Sequence, residues 1–174
     1  MKTRREVLQD VIVSIGGASM LTACGGISNV FPSISGGIFY DENEMALVAR
    51  ISDLLIPRTD TPGALDANVP GLLDGLMAEW ANASTQSSHH QVLAQLVSEL
   101  DARSRGNFTQ ADAATAEEAL RDLDAAAFLI RDGYDDYRNF KALVTQAYFS
   151  TEEGALQEQG WVATPGRWDP CVEL

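Results

Sequence analysis

The sequence predicts an all-α protein, a small bundle of about five helices followed by an irregular tail. Three observations favour this fold class. Between Asp41 and Ser150, apolar residues recur every three or four positions in successive segments, as they do along one face of a helix. No segment alternates apolar and polar residues for long enough to require a strand, and β-branched residues cluster mainly in the first forty positions. After Glu153, repeated glycines and prolines exclude another long helix.

The first helix is predicted to begin after Asp41. Asp41 and Glu44 have the spacing of a capping box. The apolar residues that follow share one helical face up to Pro57, and they are Leu47, Val48, Ile51, Leu54 and Leu55. The long stretch from Pro57 to Val69 is broken by Pro62 and Gly63, so we expect an ordered loop of the kind that often has a function.

The second and third helices are predicted from two further apolar stripes. Pro70 suits the first turn of the second helix, whose stripe consists of Leu72, Leu73, Leu76, Met77 and Trp80. Residues 83–88 then interrupt the pattern. The stripe of the third helix consists of Val92, Leu93, Leu96, Val97 and Leu100, and the helix is expected to end near Arg105, with Gly106 in the left-handed conformation. His89 and His90 are interpreted as surface residues at the start of this helix, because helical neighbours point about 100° apart and do not easily share a metal.

The fourth and fifth helices rest on weaker signals. Thr109 with Asp112 is expected to cap an alanine-rich fourth helix that reaches about Leu123. Asp132 is expected to open the fifth, which runs toward Ser150 and carries Tyr137, Phe140, Leu143, Val144 and Tyr148. The carboxylates of Asp132, Asp135 and Asp136 are interpreted as a solvated face at a helix N-terminus rather than as an acid–base site.

Residues 1–23 have the pattern of a signal peptide. Arg4 and Arg5, followed by an apolar residue and Leu8, resemble the twin-arginine signal, whose translocon carries folded proteins. The apolar run that follows has about eleven residues, against the roughly twenty that a permanent membrane span needs. Residues 21–24 (LTAC) resemble a bacterial lipobox, which predicts a lipidated Cys24 as the first mature residue and a membrane-anchored periplasmic protein. The alternative is ordinary cleavage between Ala18 and Ala23.

The rest of the chain is expected to form one body on a tether. Residues 24–40 are rich in Gly, Ser and Asn and predict a flexible tether, so the folded domain is expected at 41–174, including a tail at 154–174. The formal charge is −13. Beyond the leader, the basic residues are Lys141 and eight arginines, too few for a body that would have to neutralise phosphates. This excludes nucleic-acid binding, and an anionic membrane would also repel the body, so contact with lipid is expected from the anchor alone.

No motif predicts a catalytic site, a metal site or a cofactor site. No Gly-x-Gly-x-x-Gly follows a strand, no serine lies in a nucleophile elbow, and no Cys-x-x-Cys-His is present for covalent haem. The sequence therefore favours a binding or accessory protein over an enzyme.

The tail combines bulky apolar residues with a single thiol. Trp161 and Trp168 are expected to be buried, either against this chain's helices or against another protein. With Cys24 acylated, Cys171 is the one remaining cysteine of an exported protein. The residues alone leave open whether Cys171 bonds to another chain or stays a free thiol.

Several strings resemble the gluconate 2-dehydrogenase subunit 3 family. They are ISDLLIPRTDTPGA at 51–64, Val69-Pro70 at the start of the second helix, and YFSTEEG at 148–154 leading into TPGRWDPC at 164–171. The resemblance covers roughly residue 41 to the C-terminus, and the Ile-Pro-x-Thr-Asp-Thr-Pro-Gly-Ala string is its most specific part.

This resemblance implies a non-catalytic small subunit of a FAD-dependent sugar or polyol dehydrogenase. The expected partner is a larger flavoprotein of the glucose-methanol-choline (GMC) type, often alongside a cytochrome c subunit; the FAD belongs to the flavoprotein, and this chain holds no cofactor. The small subunit is expected to carry a signal-less flavoprotein through the twin-arginine pore. Cys171 becomes a candidate for a disulfide to the flavoprotein, with Trp161, Arg167 and Trp168 at the same interface. The lipobox at Cys24 departs from the family's usual leader and predicts that this subunit is itself the anchor. The competing interpretation is a stand-alone periplasmic lipoprotein that binds a partner unrelated to redox chemistry.

Overall fold

The computed structural model describes residues 36–130 and 132–162. This part of the chain forms five α-helices: α1 (Glu42–Leu55), α2 (Val69–Glu79), α3 (Ala83–Ser104), α4 (Ala113–Leu129) and α5 (Asp135–Phe149). A 3₁₀ turn (Phe108–Gln110) precedes α4, and a short π-helical turn (Glu153–Glu158) follows α5. The described residues contain no strand, so the predicted all-α fold class is confirmed.

Helix α1 begins where the sequence predicts. The Asp41 carboxylate accepts hydrogen bonds from the backbone N–H groups of Asn43 and Glu44, both at 2.8 Å. The Glu44 carboxylate in return accepts from the N–H of Asp41 at 3.2 Å, which completes the capping box. Val48 and Ile51 on the predicted face are fully buried.

Helix α2 is shorter than its apolar stripe suggests. Val69, Leu73 and Met77 are buried, but Trp80 is 82% exposed, so its predicted place in the stripe is wrong. The helix ends at Glu79, and the backbone of Trp80 turns away with φ −114°. The ring therefore points outward instead of continuing the buried face.

Helix α3 begins earlier than expected. Asn82 caps it by accepting a hydrogen bond from the N–H of Thr85 at 2.9 Å, so residues 83–88 are helical and the predicted interruption is wrong. His89 consequently lies inside the helix and is only 8% exposed, which corrects its assignment to the surface. At the other end Arg105, with φ +57°, takes the left-handed conformation that was expected of Gly106.

Helices α4 and α5 confirm the predicted segments with different bounds. The Asp112 carboxylate caps α4 by accepting from the N–H of Thr115 at 3.1 Å, and the helix continues to Leu129. Helix α5 begins at Asp135 rather than at Asp132, which lies in the preceding turn. Asp132, Asp135 and Asp136 are all exposed, as the interpretation of a solvated face requires.

One core joins the helices. Its fully buried members include Ile51 from α1, Leu73 from α2, Leu100 from α3, Leu123 from α4 and Val144 from α5. Among the described residues, no helix is both long enough and apolar enough to cross a bilayer.

Candidate functional sites

Most of the site residues that the sequence predicts lie outside the described residues. These are Arg4, Arg5, Leu8, Cys24, Arg167, Trp168 and Cys171. Trp161 is described, and it is 55% exposed. The ring is therefore not buried against the described helices, which leaves a partner or another part of the tail to cover it.

Internal hydrogen bonds hold residues 56–68, which we call the proline loop. The N–H of Ala64 donates to the carbonyl of Ile56 at 2.9 Å and closes the loop at its base. The Asp66 carboxylate braces the interior, accepting from the N–H of Gly63 at 2.9 Å and from the Arg58 guanidinium at 2.5 Å. A Cβ on Gly63 would lie 2.6 Å from the backbone nitrogen of Arg58. The two sides of the loop approach so closely here that only glycine fits.

The proline loop is fastened to the end of α5 and to the π-helical turn. The Tyr148 hydroxyl donates to the carbonyl of Pro62 at 2.6 Å, and the Thr61 hydroxyl donates to the Glu158 carboxylate at 2.6 Å. Burial, followed by the charges of Glu158 and Glu153, raises the pKa of Tyr148, so its hydroxyl remains a donor. Two strings that carried the resemblance, far apart in sequence, are thus neighbours in the fold.

The π-helical turn directs the chain outward next to this junction. Gly154 is packed so closely against the Tyr148 carbonyl that a Cβ would overlap it. After the turn, the N–H of Trp161 donates a hydrogen bond to the carbonyl of Ala155 at 2.8 Å. Leu156, Trp161 and Val162 are left 47%, 55% and 63% exposed and form what we call the tail surface.

A second site, the tether clasp, lies where the chain enters the body. Asp74 of α2 is 5% exposed, and its carboxylate accepts three backbone N–H bonds: from Ile38 at 2.8 Å, from Phe39 at 3.0 Å and from Tyr40 at 2.8 Å. A Cβ on Gly37 would overlap the same carboxylate. Burial by itself would raise the pKa of Asp74, but the three N–H bonds outweigh it and hold the pKa below its usual value.

Both histidines of α3 serve the tether clasp. The Tyr40 hydroxyl lies 2.8 Å from Nε2 of His89 in a buried contact. The ring of Phe39 stacks on His90 with centroids 4.3 Å apart, and Nδ1 of His90 lies 2.6 Å from the Glu44 carboxylate. Burial lowers the pKa of His89 and raises that of Tyr40, so the hydrogen bond joins a neutral imidazole and a neutral phenol.

The tether clasp shows that the expected boundary of the body at Asp41 is too late. Tyr40 is 2% exposed and belongs to the core, and Ile38 and Phe39 are bonded to α2. The aromatic pair Phe39-Tyr40 at the end of a glycine-rich stretch was the only sequence signal for this. The partner, Asp74, is more than thirty residues away along the chain.

The described residues contain no group of three or more His, Cys, Asp or Glu side chains placed to hold a metal ion. The features that the described residues do form are the proline loop, the tail surface and the tether clasp.

Comparison with known proteins assigns the chain to a family. The family model described as Gluconate 2-dehydrogenase subunit 3 matches residues 42–166, a span that includes all five helices, the proline loop and the tail surface. Neither a curated protein nor a solved structure matches the chain significantly. The family match agrees with the resemblance of the strings at 51–64 and 148–154. This chain belongs to the gluconate 2-dehydrogenase subunit 3 family, and its family name makes it a subunit of a dehydrogenase complex.

Proposed function

We propose that this chain is the non-catalytic small subunit of a periplasmic, membrane-associated sugar or polyol dehydrogenase. In this proposal the catalytic subunit is a FAD-dependent flavoprotein of the GMC type, and a cytochrome c subunit completes the complex. The small subunit assists the export, maturation and anchoring of the flavoprotein. The observation that carries the proposal is the junction of the proline loop with the tail surface, because it lies within the family match and presents exposed apolar residues.

The tail surface supports docking of the flavoprotein. Tryptophan is enriched among the residues that dominate binding energy at interfaces, and Trp161 is followed directly by a second exposed apolar residue, Val162. Trp161 is held by a backbone bond to Ala155 on a turn that is itself fastened to the proline loop, so it is preorganised for contact. In the proposal, the chain beyond Val162 continues this interface.

Arg167, Trp168 and Cys171 are assigned to the same interface, with Cys171 bonded to a cysteine of the flavoprotein. Electrophoresis of the purified complex without reductant tests this assignment. A band containing both chains that separates on reduction, and that disappears in Cys171→Ser, is the expected result. A flavoprotein band that reductant does not change would rule out the disulfide.

The tether clasp supports the anchoring role. Eleven residues lie between Cys24 and Gly36, and the twelve Cα-to-Cα steps that join them span at most about 40 Å. A lipidated Cys24 would therefore keep the body close to the membrane. Tyr40 is hydrogen-bonded to Asp74 of α2 and to His89 of α3. A pulling force on the tether would therefore act on these two helices and not on the first turn of α1 alone.

The export role is tested by changing Arg4 and Arg5 to lysine. This double substitution keeps the charge of the leader but removes the twin-arginine signal. We expect both this chain and the flavoprotein to remain in the cytoplasm, whereas Lys2→Arg, which leaves the arginine pair intact, should export both. Flavoprotein that still reaches the periplasm in the double variant would contradict the export role.

A further inference from the structure

The junction of the proline loop with the tail surface carries more negative charge than its length predicts. Residues 56–68 and 150–162 contain five carboxylates and a single cation, Arg58. Their formal charge of −4 is nearly a third of the chain's −13, in 26 of its 174 residues. The carboxylates belong to Asp60, Asp66, Glu152, Glu153 and Glu158.

Most of this charge has no cation beside it. The Arg58 guanidinium pairs with Asp66 at 2.5 Å, and the other four carboxylates form no ion pair with a described lysine, arginine or histidine. The Glu158 carboxylate accepts a hydrogen bond from the neutral hydroxyl of Thr61 at 2.6 Å, which fixes its position without neutralising its charge. A cation brought by another molecule would therefore meet a carboxylate that is already held in place.

These carboxylates lie in the same turn as the apolar residues of the tail surface. Glu153 and Glu158 are the first and last residues of the π-helical turn, and Leu156, which is 47% exposed, lies between them. The N–H of Trp161 bonds to a carbonyl of the same turn, which keeps the tryptophan backbone beside it. After burial, the charges of Glu158 and Glu153 contribute most to the raised pKa of Tyr148, so both carboxylates lie near its hydroxyl. Apolar area and negative charge thus form one surface.

The combination of charge and apolar area indicates which surface fits here. The family name makes the chain a subunit of a complex, so a protein is the expected occupant. Anionic lipid headgroups would be repelled by the carboxylates. A wholly apolar recess would bury the carboxylates without partners, which is costly. Lysine or arginine at the rim of an apolar recess would instead pair with them, and arginine can bind a carboxylate through two parallel hydrogen bonds.

We propose that the partner's binding site for the tail surface is an apolar recess with lysine or arginine at its rim, and that these cations pair with Glu153 and Glu158. This inference rests on the proposed function, which makes the tail surface the docking site for the flavoprotein, and adds the chemistry of the partner's side. The apolar residues supply most of the affinity, and the glutamates supply orientation and faster association at low salt. Thr61 is a positioning residue, because its hydroxyl holds Glu158 before the partner binds.

The experiment uses the native assembly, solubilised from membranes and immobilised through a tag on this chain. The variant Glu153→Gln/Glu158→Gln removes the charges, but the glutamine oxygen at position 158 can still accept from Thr61, so the turn is expected to keep its structure. Glu118→Gln is the matched control, since it makes the same change at an exposed position of α4 outside the junction. The Kd of the partner is measured from its release on dilution at about 50 mM and about 500 mM NaCl.

We expect the double variant to raise the Kd about fivefold to tenfold at the lower salt concentration, since exposed ion pairs are individually weak and two are removed. Added salt screens such pairs, so the Kd values of the variant and the wild-type chain should approach each other at the higher concentration. Glu118→Gln should match the wild-type chain at both. A photo-crosslinking residue at position 157, an exposed glutamine next to Glu158, should map to a partner peptide that contains lysine or arginine.

The apolar part of the surface is tested by Leu156→Ser. This variant should raise the Kd at both salt concentrations, because salt does not screen apolar contacts. Trp80→Ser is its control, since Trp80 is 82% exposed at the end of α2, and it should leave the Kd unchanged.

A Kd of the double variant equal to that of the wild-type chain at low salt would overturn the proposal, and so would an equal loss in Glu118→Gln or no loss in Leu156→Ser. A crosslink from position 157 to residues 163–174 of this chain would also overturn it, because the chain's own tail would then cover the surface. Flavin in the partner is recorded separately. A partner without flavin whose Kd depends on the two glutamates would contradict the proposed function alone, and a flavoprotein whose Kd does not depend on them would contradict this inference alone.

Discussion

Replacing Asp74 by asparagine tests the tether clasp with the smallest possible change in shape. The asparagine oxygen can still accept from the N–H groups of Phe39 and Tyr40, both of which now bond to Oδ1. Its amide nitrogen, however, would face the N–H of Ile38, which now lies 2.8 Å from Oδ2. One hydrogen bond is therefore lost, and the other two lose their charged acceptor.

The size of the effect follows from these three bonds. A hydrogen bond to a charged group contributes about 1.5–3 kcal/mol, against about 0.5–1.5 kcal/mol for a neutral pair. Water can replace the bond of Ile38, whose side chain is 82% exposed, but not that of Tyr40, which is 2% exposed. We expect Asp74→Asn to lower the free energy of unfolding by about 2–4 kcal/mol at pH 7.

Urea unfolding of the mature chain measures this loss, and hydrogen exchange of the Tyr40 amide reports on the tether clasp itself. Asp122→Asn, at an exposed position of α4, is the control and should stay within about 0.5 kcal/mol of wild type. A similarly small change in Asp74→Asn, with the Tyr40 amide as protected as before, would refute the reasoning.

Acid should remove the advantage of the wild-type chain. The folded pKa of Asp74 lies below its usual value, so the stability that its charge provides is complete above the unfolded pKa of about 3.9 and is lost as the pH falls through the folded pKa. The wild-type and Asp74→Asn stabilities should therefore converge in strong acid. A gap that stays constant down to pH 2 would mean that the charge contributes nothing.

Three further predictions concern other parts of the molecule. Gly154→Ala should destabilise the chain by about 1–3 kcal/mol, because the added Cβ overlaps the Tyr148 carbonyl. Gly75→Ala on α2 should instead stabilise it by about 0.5–1 kcal/mol, because no atom lies near the added Cβ. The midpoint of thermal unfolding measures both effects, and equal shifts in the two variants would contradict the described packing. Burial lowers the pKa of His89, so the stability that its neutral form provides is complete above the unfolded pKa of about 6.5 and declines as the pH falls toward the folded pKa. His89→Gln should flatten this part of the plot of stability against pH. An identical slope in the variant and the wild-type chain would refute this prediction. Cys24→Ser should release the complex from membranes or reduce its export, as fractionation and immunoblotting would show, while full membrane retention would mean that another subunit is the anchor.

The helices that the sequence predicted well are those whose local signals agree. Asp41 and Glu44 form a complete cap, and an unbroken apolar face follows, so α1 begins where it was expected. The start of α3 was missed because its first turns carry polar side chains that face water. A prediction from the spacing of apolar residues cannot detect such a segment. A capping residue, Asn82, was the available signal.

Contacts between distant residues could not be predicted from local patterns. In the tether clasp, Tyr40 contacts Asp74 of α2 and His89 of α3, so the clasp exists only where these two helices pack against the same segment. The same packing buries His89. Trp80 fits an apolar stripe by spacing alone, but the helix ends just before it. The family strings, by contrast, correctly identified the family, whose model matches residues 42–166.

Purification of the tagged chain from membranes, with its partners identified and the absorbance spectrum of the assembly recorded, tests the central claim most directly. The account predicts a larger GMC-type flavoprotein in constant ratio to this chain, with an oxidised flavin spectrum that substrate bleaches. A chain that emerges alone, or only with proteins that carry no flavin, would contradict it.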